Sequence, residues 1–213
     1  MTLSQEQRKS LAIATLRYEA DLEEVLPWLE RRGITEAIAR SRRLGLVKNP
    51  IKGDGPFVGR LSIPYITDAG PVSMNFRCIL DHDCKSIDKH SKYRKPAGIE
   101  TRLYGVQDYF NPGLAIHIAE GELDTIILSR AIGFPAIGLP GSSNWSDHYR
   151  YVFKDFDDMY MWCDGDTAGS AMYNKFAKEF GRRVKLVPLP EGEDVNSLYL
   201  KKGAGYMRSL VPQ

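Results

Sequence analysis

The sequence has few cysteines, because only Cys78, Cys84 and Cys163 occur among its 213 residues. So small and odd a number does not form the disulfide framework of small secreted proteins, and we predict reduced thiols. The segment "RCILDHDCKSIDKH" adds His82 and His90 to two of the cysteines. Its spacing matches no standard zinc pattern, so zinc is not expected there.

Long hydrophobic runs are also lacking. No stretch of about 18 apolar residues occurs, which is the length that a transmembrane helix needs. The N-terminal segment "MTLSQEQRKSLAIATLRYEADLEE" has charged residues where a secretory signal would need an uninterrupted apolar region. We therefore expect a soluble, cytoplasmic protein with no membrane partner.

Several nucleotide- and metal-binding motifs are missing as well. The chain contains neither a Walker A pattern nor G-x-G-x-x-G, which excludes a P-loop ATPase and a recognisable dinucleotide-binding domain. The segment that starts at Asp164 is not an EF-hand, because Ala168 and Lys175 stand where the fifth and twelfth positions require oxygen ligands.

The charge is unevenly distributed although the net charge is only +2. Residues 1–105 carry 18 Lys and Arg against 13 Asp and Glu, whereas residues 106–213 carry 11 against 14. A basic part beside an acidic part is typical of proteins that bind a polyanion with one and metal cations with the other, although solvated faces also produce such asymmetry.

Residues 1–105 predict an α+β N-terminal part. Apolar residues recur at helical spacing in "LAIATLRYEADLEEVLPWLERRG", and Thr35 in "GITEAIARSRRLGLV" is a candidate helix cap. The segment "GRLSIPYITDAGPVSMNFR" alternates short β-rich runs with turn residues, which indicates an antiparallel hairpin. A basic loop, "KSIDKHSKYRKPAGIETR", completes this part.

Residues 106–213 predict an α/β domain. The strand segments "GLAIHIAE", "PAIGLP", "DMYMWCD" and "RVKLVPLP" alternate with helical segments. Such alternation favours a Rossmann-like parallel sheet flanked by helices, with ligand chemistry at the carboxyl ends of the strands.

Acidic residues follow these strands. Glu120 follows the first strand, Asp164 and Asp166 follow the third, and Asp194 follows the last. Carboxylates that converge at one edge repel one another unless cations neutralise them, which points to Mg²⁺ or Mn²⁺. Two other interpretations stay open at this point: Asp166 caps the next helix, and "EGELD" is an ordinary helix start.

The motifs "AEGELDTIILSRAIGFPAIGLPG", "MWCDGDTAGSAM" and "LPEGEDVNSL" together resemble the Toprim domain of bacterial-type, DnaG-like DNA primases, including phage versions. Upstream, "WLERRGITEAIARSRRLGLV" and "SKYRKPAGIETRLYG" are similar to the helical segment and the basic loop of the primase core. The resemblance implies a primase core with an N-terminal basic subdomain at 1–105 and a Toprim catalytic domain at 106–213.

The resemblance also implies a mechanism, which is metal-assisted nucleotidyl transfer that makes short RNA primers on single-stranded DNA from NTPs. Glu120, Asp164 and Asp166 are then the catalytic residues, and with Asp194 they hold two Mg²⁺ or Mn²⁺ ions about 4 Å apart. A stand-alone Toprim nuclease and a non-catalytic DNA-binding accessory of replication or recombination are the alternatives.

The resemblance further implies which residues contact nucleotides and DNA, and which partners the chain has. Facing the triphosphate and template phosphates are basic residues of the first part: Arg60, Arg77, Lys92, Arg94 and Lys95. The expected partners are a replicative helicase and a separate zinc-binding chain for template recognition, in the cytoplasm of a bacterial or phage-infected cell.

Overall fold

A computed structural model describes residues 3–110, 114–139, 146–163 and 167–212. The chain divides into two compact units, residues 1–100 and 101–213. The division falls before residue 105, the predicted boundary, because Leu103 packs in the core of the second unit and Tyr104 forms a β-bridge with Gly138.

The first unit begins with three helices, and capping side chains mark the start of two of them. Ser4 caps the first helix by accepting from Gln7 N–H at 3.1 Å. Thr35, the predicted cap, accepts from Ile38 N–H at 3.4 Å. The helices of this unit are α1 (Gln5–Glu19), α2 (Leu22–Glu30) and α3 (Glu36–Ser41), with 3₁₀ turns at Gly55–Phe57 and Cys84–Ser86.

A four-stranded antiparallel sheet completes the first unit. Its strands are β1 (Gly45–Leu46), β2 (Leu61–Thr67), β3 (Gly70–Arg77) and β4 (Tyr93–Arg94), in the order β1-β2-β3-β4. The β2–β3 hairpin confirms the predicted one, with Thr67 paired to Gly70 at its turn. The core between α1 and the sheet includes Tyr18, and Phe57 stacks on Phe76 with ring centroids 4.0 Å apart.

Gly45→Ala is expected to lower the free energy of unfolding by about 3 kcal/mol. A Cβ at Gly45 would stand 2.1 Å from the carbonyl oxygen of Tyr18, and a backbone atom at the end of α1 cannot move aside cheaply. Urea unfolding followed by circular dichroism measures the loss. Gly55→Ala is the matched control, because nothing lies within 4 Å of its Cβ position. Equal unfolding midpoints for the two variants would show that α1 yields to the added methyl group.

The second unit contains the predicted parallel sheet. Its strands are β5 (Ala115–Ala119), β6 (Ala136–Gly138), β7 (Asp158–Trp162) and β8 (Val184–Val187). The strand order is β6-β5-β7-β8 and every pairing is parallel. The helices are α4 (Glu122–Ile126), which continues as a π-helix (Ile127–Ile132), α5 (Arg150–Phe153), α6 (Thr167–Phe180) and α7 (Val195–Ser209), with 3₁₀ segments at Val106–Phe110, Asp147–Tyr149 and Gly181–Arg183.

Glycine shapes two helices in this unit. Gly133 has φ 92° after the π-helix, so it ends the segment at the residue that the sequence indicated. α7 was not predicted, and it is kinked at Gly203, where φ is 76°. Within the described ranges, no helix combines the length and apolarity that crossing a membrane requires.

Candidate active site

The candidate active site lies at the carboxyl edge of the parallel sheet. β5 and β7 are neighbours there, and Ala119 pairs with Trp162 at their ends. The connection after β5 leads to β6 on one side, whereas the connection after β7 leads to β8 on the other. The strand order therefore reverses between β5 and β7, and open α/β sheets bind ligands at such a point.

Glu120 follows β5 directly at this edge and is partly buried. The carbonyl of the next residue, Gly121, accepts from the Thr125 hydroxyl at 2.7 Å and from the Thr125 N–H at 3.1 Å. Gly138 at the end of β6 packs against this turn, since a Cβ there would stand 2.5 Å from Thr125 Oγ1. Close backbone packing thus holds the turn that carries Glu120.

The other two predicted catalytic carboxylates, Asp164 and Asp166, lie outside the described residues. The chain reaches the edge through Trp162 and Cys163, which are both buried. The arrangement of β5 and β7 therefore confirms the premise of the prediction, that the strands preceding Glu120 and Asp164 are neighbours in the sheet.

A cavity of about 380 Å³ lies beside Cys163. α6 contributes Ser170 and Asn174 to its lining, and the segment after β8 contributes Pro188 and Leu189. The cavity thus adjoins the carboxyl ends of β7 and β8, and it offers hydroxyl and amide groups beside an apolar wall.

Asp194, the fourth predicted metal ligand, is the N-cap of α7. Its Oδ1 accepts from Ser197 N–H at 2.6 Å, and the Ser197 hydroxyl accepts from Asp194 N–H at 3.0 Å, which completes a capping box. Asp124 ties the same helix end to α4, because its Oδ1 accepts from Asn196 N–H at 3.1 Å. Sequence reasoning missed this link, although "EDVNS" carries the signal of a capped helix start.

Glu193 precedes this cap and interacts with the same helix. The ammonium group of Lys201 and the hydroxyl of Ser197 hold the pKa of the Glu193 carboxyl below its usual range. Its negative charge therefore stabilises α7, because the N-terminal end of the helix dipole is positive and favours carboxylates.

The predicted divalent-ion site at this edge includes Asp164 and Asp166, which lie outside the described residues. Among the residues that the structure describes, no three carboxylates at the edge lie close enough to share one ion. The fit of the chain to Mg²⁺ or Mn²⁺ rests on chemistry and topology: carboxylates are the ligands that hard cations prefer, and the neighbouring ends of β5 and β7 lead into Glu120 and the Asp164 segment.

Two of the predicted phosphate-binding residues make contacts within the first unit. Arg60 is buried, and its Nη1 donates to the carbonyls of Ser91 at 2.9 Å and Lys92 at 3.4 Å. Arg77 donates to the Tyr93 hydroxyl. These hydrogen bonds show that Arg60 and Arg77 brace the basic loop. Their contacts with phosphates stay predictions.

The other three, Lys92, Arg94 and Lys95, are exposed on and beside β4. Arg94 Nη1 donates to the carbonyl of Pro56 at 3.2 Å, and its guanidinium lies 5.6 Å from the ring centre of Phe57. The structure thus brings three cations together on an edge strand, where water and a polyanion can both reach them.

One constellation was not expected to bind a metal on the basis of its sequence spacing. The side chains of Cys78, His82, Cys84 and His90 converge, with their candidate ligand atoms all within 4.8 Å of one another. Their spacing gave no signal because it departs from the usual zinc patterns. The fold brings them together in the connection between β3 and β4.

The chain has relatives among phage and bacterial proteins. The Gene 57 protein of Mycobacterium phage D29 is 34% identical over 116 residues, which are 54% of this chain and 75% of that protein. The DNA primase of Salmonella typhimurium is 27% identical over 117 residues, which are 52% of this chain and 20% of that enzyme. No protein-family model matches the chain.

Solved primase structures have the same fold. The zinc-binding and RNA polymerase domains of the Aquifex aeolicus primase superpose with a TM-score of 0.78 at 22% identity, over 98% of this chain and 61% of that one. The chain belongs to the same family as the phage Gene 57 protein, and it resembles DnaG-type primase cores in sequence and in fold. A DnaG primase catalytic domain bound to single-stranded DNA superposes with a TM-score of 0.74 at 21% identity, over 97% of this chain and 79% of that one.

The chain therefore covers different shares of its relatives. It spans three quarters of the phage protein, at 75%, but only 20% of the Salmonella primase. The structure confirms the fold class predicted from the sequence. An α+β part comes first along the chain, and a parallel sheet flanked by helices follows.

Proposed function

We propose that the chain is the catalytic core of a primase, which synthesises short RNA primers on single-stranded DNA from ribonucleoside triphosphates. The observation that carries the proposal is the position of Glu120 at the point where the strand order reverses, in a chain with the primase-core fold. The second unit is the Toprim catalytic domain, and the first unit contributes basic groups for phosphates.

The proposed reaction joins the 3′-hydroxyl of the growing RNA to the α-phosphate of an incoming NTP and releases pyrophosphate. Glu120 orients that hydroxyl and accepts its proton, since it stands on a turn held by Thr125. Asp164 and Asp166, with Asp194, would hold two Mg²⁺ or Mn²⁺ ions, which supply charge neutralisation for the triphosphate and the transition state.

An assay that separates RNA synthesis from DNA cleavage tests the proposal. The chain is incubated with single-stranded DNA, labelled NTPs and Mg²⁺ or Mn²⁺, and both nucleic acids are resolved on a denaturing gel. We expect short RNA products and release of pyrophosphate. Shortened DNA with no RNA, under every metal and template tried, would replace the primase with a metal-dependent nuclease. Binding of DNA with neither product would leave only a DNA-binding accessory.

The basic strand β4 and its neighbours are proposed to contact the single-stranded template. One supporting fact is that the DnaG catalytic domain of the same fold was solved bound to single-stranded DNA. Another is the exposure of Lys92, Arg94 and Lys95, since the binding of cations to phosphates releases counterions.

Replacing Lys92, Arg94 and Lys95 together by Ala is expected to flatten the slope of log affinity against log salt. Each lost phosphate contact reduces the slope for single strands by about 0.7, so the three together remove up to about 2. Fluorescence anisotropy with a labelled oligonucleotide measures the slope. The matched control replaces Lys9, Arg17 and Lys52, which are also exposed in the first unit. Equal slopes for both triple variants would place the template elsewhere.

Two further partners and a location are part of the proposal. A replicative helicase would bring the primase core to the template, and a separate zinc-binding chain would select the initiation sequence. These assignments follow from the family resemblance alone, and the cytoplasm of a bacterial or phage-infected cell is the compartment in which such replication proteins work. Co-purification with the helicase of the same genome tests the first of them.

A further inference from the structure

The connection between β3 and β4 carries a group of side chains that the primase reaction does not use. We name residues Cys78–His90 the Cys–His loop. Cys78 Sγ lies 3.6 Å from His82 Nε2, and His82 Nε2 lies 3.1 Å from His90 Nε2. Cys84 Sγ completes the group, and all four atoms lie within 4.8 Å of one another.

The two shorter distances match the edges of a zinc coordination tetrahedron. Zn–S bonds of about 2.3 Å and Zn–N bonds of about 2.0–2.1 Å place two tetrahedral ligands roughly 3.3 Å apart for N and N, and roughly 3.6 Å apart for N and S. The observed 3.1 Å between the two imidazole nitrogens and 3.6 Å between sulfur and nitrogen agree with these values. Two of the six edges therefore already have the spacing of a closed site, and all four donor atoms lie within 4.8 Å of one another.

Apolar packing gives the Cys–His loop little support. Its two large apolar side chains, Leu80 and Ile87, are 64% and 43% exposed, so they form no core of their own. Backbone bonds close the base of the loop instead: Cys78 N–H donates to the Lys92 carbonyl at 2.8 Å, and Arg60 donates to the Ser91 carbonyl at 2.9 Å. A cross-link among the four side chains would order the part of the loop that packing leaves unsupported.

We propose that Cys78, His82, Cys84 and His90 form a structural zinc site within the first unit of this primase core. Two thiolates and two neutral imidazoles offset the charge of Zn²⁺, so the closed site adds no net charge beside Arg60. Thiolate and imidazole ligands favour Zn²⁺ over the hard cations of the carboxylate edge. Because four protein ligands fill the tetrahedron, the site leaves no position for substrate and is structural.

The site is independent of the proposed polymerase activity. It lies between two strands of the first unit, whereas Glu120 stands in the second. Its function is to hold the Cys–His loop and the start of β4 in one conformation. A chain with no primase activity would still bind this ion, so failure of one proposal does not decide the other.

Metal content of the full chain tests the proposal directly. Reduced protein purified without chelators is expected to contain about one zinc per chain by elemental analysis. Exchange with Co²⁺ is expected to produce thiolate-to-cobalt charge-transfer bands and the strong ligand-field bands of a tetrahedral S₂N₂ site. Less than about a tenth of an equivalent of zinc, together with no such bands after addition of Co²⁺, would overturn the proposal.

Variants that each remove one proposed ligand show which residues bind the zinc. Cys84→Ser and His82→Asn are each expected to lower retained zinc at least about tenfold. Cys163→Ser and His148→Asn are the matched controls and should retain about one equivalent, because neither residue is in the cluster. Equal zinc in all four variants would overturn the assignment. A Cys78–Cys84 disulfide in metal-free, unreduced protein that takes up no zinc after reduction would do the same.

Limited proteolysis provides a second measurement on the unmodified chain. Trypsin can cut after Lys85 and Lys89, which are exposed in the Cys–His loop. A zinc chelator is expected to accelerate these two cuts at least about tenfold, since the bound ion stabilises the closed loop by mass action. Equal cleavage rates with and without chelator, in protein that contains zinc, would show that the ion does not order the loop.

Discussion

Asp164→Asn and Asp166→Asn are each expected to lower RNA primer synthesis at least about a hundredfold. The change leaves side-chain size almost unaltered but removes a negative charge that would hold Mg²⁺ or Mn²⁺ near the triphosphate. Glu120→Gln is expected to be as severe, because an amide at the end of β5 can neither accept a proton nor neutralise a metal ion. The measurement is the rate of labelled NTP incorporation on single-stranded DNA.

A matched control separates chemistry from stability. Asp155→Asn makes the same charge change at an exposed position of the second unit, and it should keep the wild-type rate. All four variants should also retain the wild-type melting temperature and most DNA binding, since the basic residues beside β4 are untouched. Near wild-type rates for Asp164→Asn, Asp166→Asn and Glu120→Gln would remove this edge from the catalytic site.

The free energy of unfolding is expected to fall by about 2–3 kcal/mol between pH 7 and pH 4.5 because of His117 alone. This residue of β5 is only 4% exposed, and burial lowers the pKa of its imidazole to about 3. Its Nδ1 accepts from Trp162 Nε1–H at 2.8 Å, and its ring stacks on Phe134 at 3.9 Å. A proton on Nδ1 would face that N–H and break the hydrogen bond.

The sign of this effect follows from the two states. The unfolded chain takes up the proton as pH falls through about 6.5, whereas the folded chain stays neutral until about pH 3. Stability from the neutral imidazole is therefore complete above pH 6.5 and is lost progressively as pH falls towards 3. The loss corresponds to one proton bound on unfolding in this range.

Urea unfolding at several pH values measures the effect. His117→Gln is expected to unfold more easily at pH 7 than the wild type. It is also expected to lose less stability on acidification, because a glutamine side chain at position 117 does not titrate. His148→Gln is the control, since His148 is exposed, and it should retain the wild-type pH dependence. Identical pH dependence in His117→Gln and the wild type would show that other groups carry the acid sensitivity.

Local chemistry in the sequence determined most elements of this chain. Thr35 and Gly133 mark a helix start and a helix end where the sequence predicted them, because capping and positive φ depend on one or two residues. The alternation of strands and helices after residue 106 determined a parallel sheet, since parallel strands need a crossover between them. Glu120 could be placed at a strand end for the same reason.

Only the tertiary structure decided which distant residues meet. The order β6-β5-β7-β8 makes the strands before Glu120 and Asp164 neighbours, and no local pattern specifies strand order. Cys78 and His90 are brought together because β4 pairs with β3 and Arg60 holds the end of the loop, so ligand spacing along the chain carried no signal. Long-range pairing of this kind depends on packing of the whole unit, which is why motif spacing alone argued against the proposed zinc site.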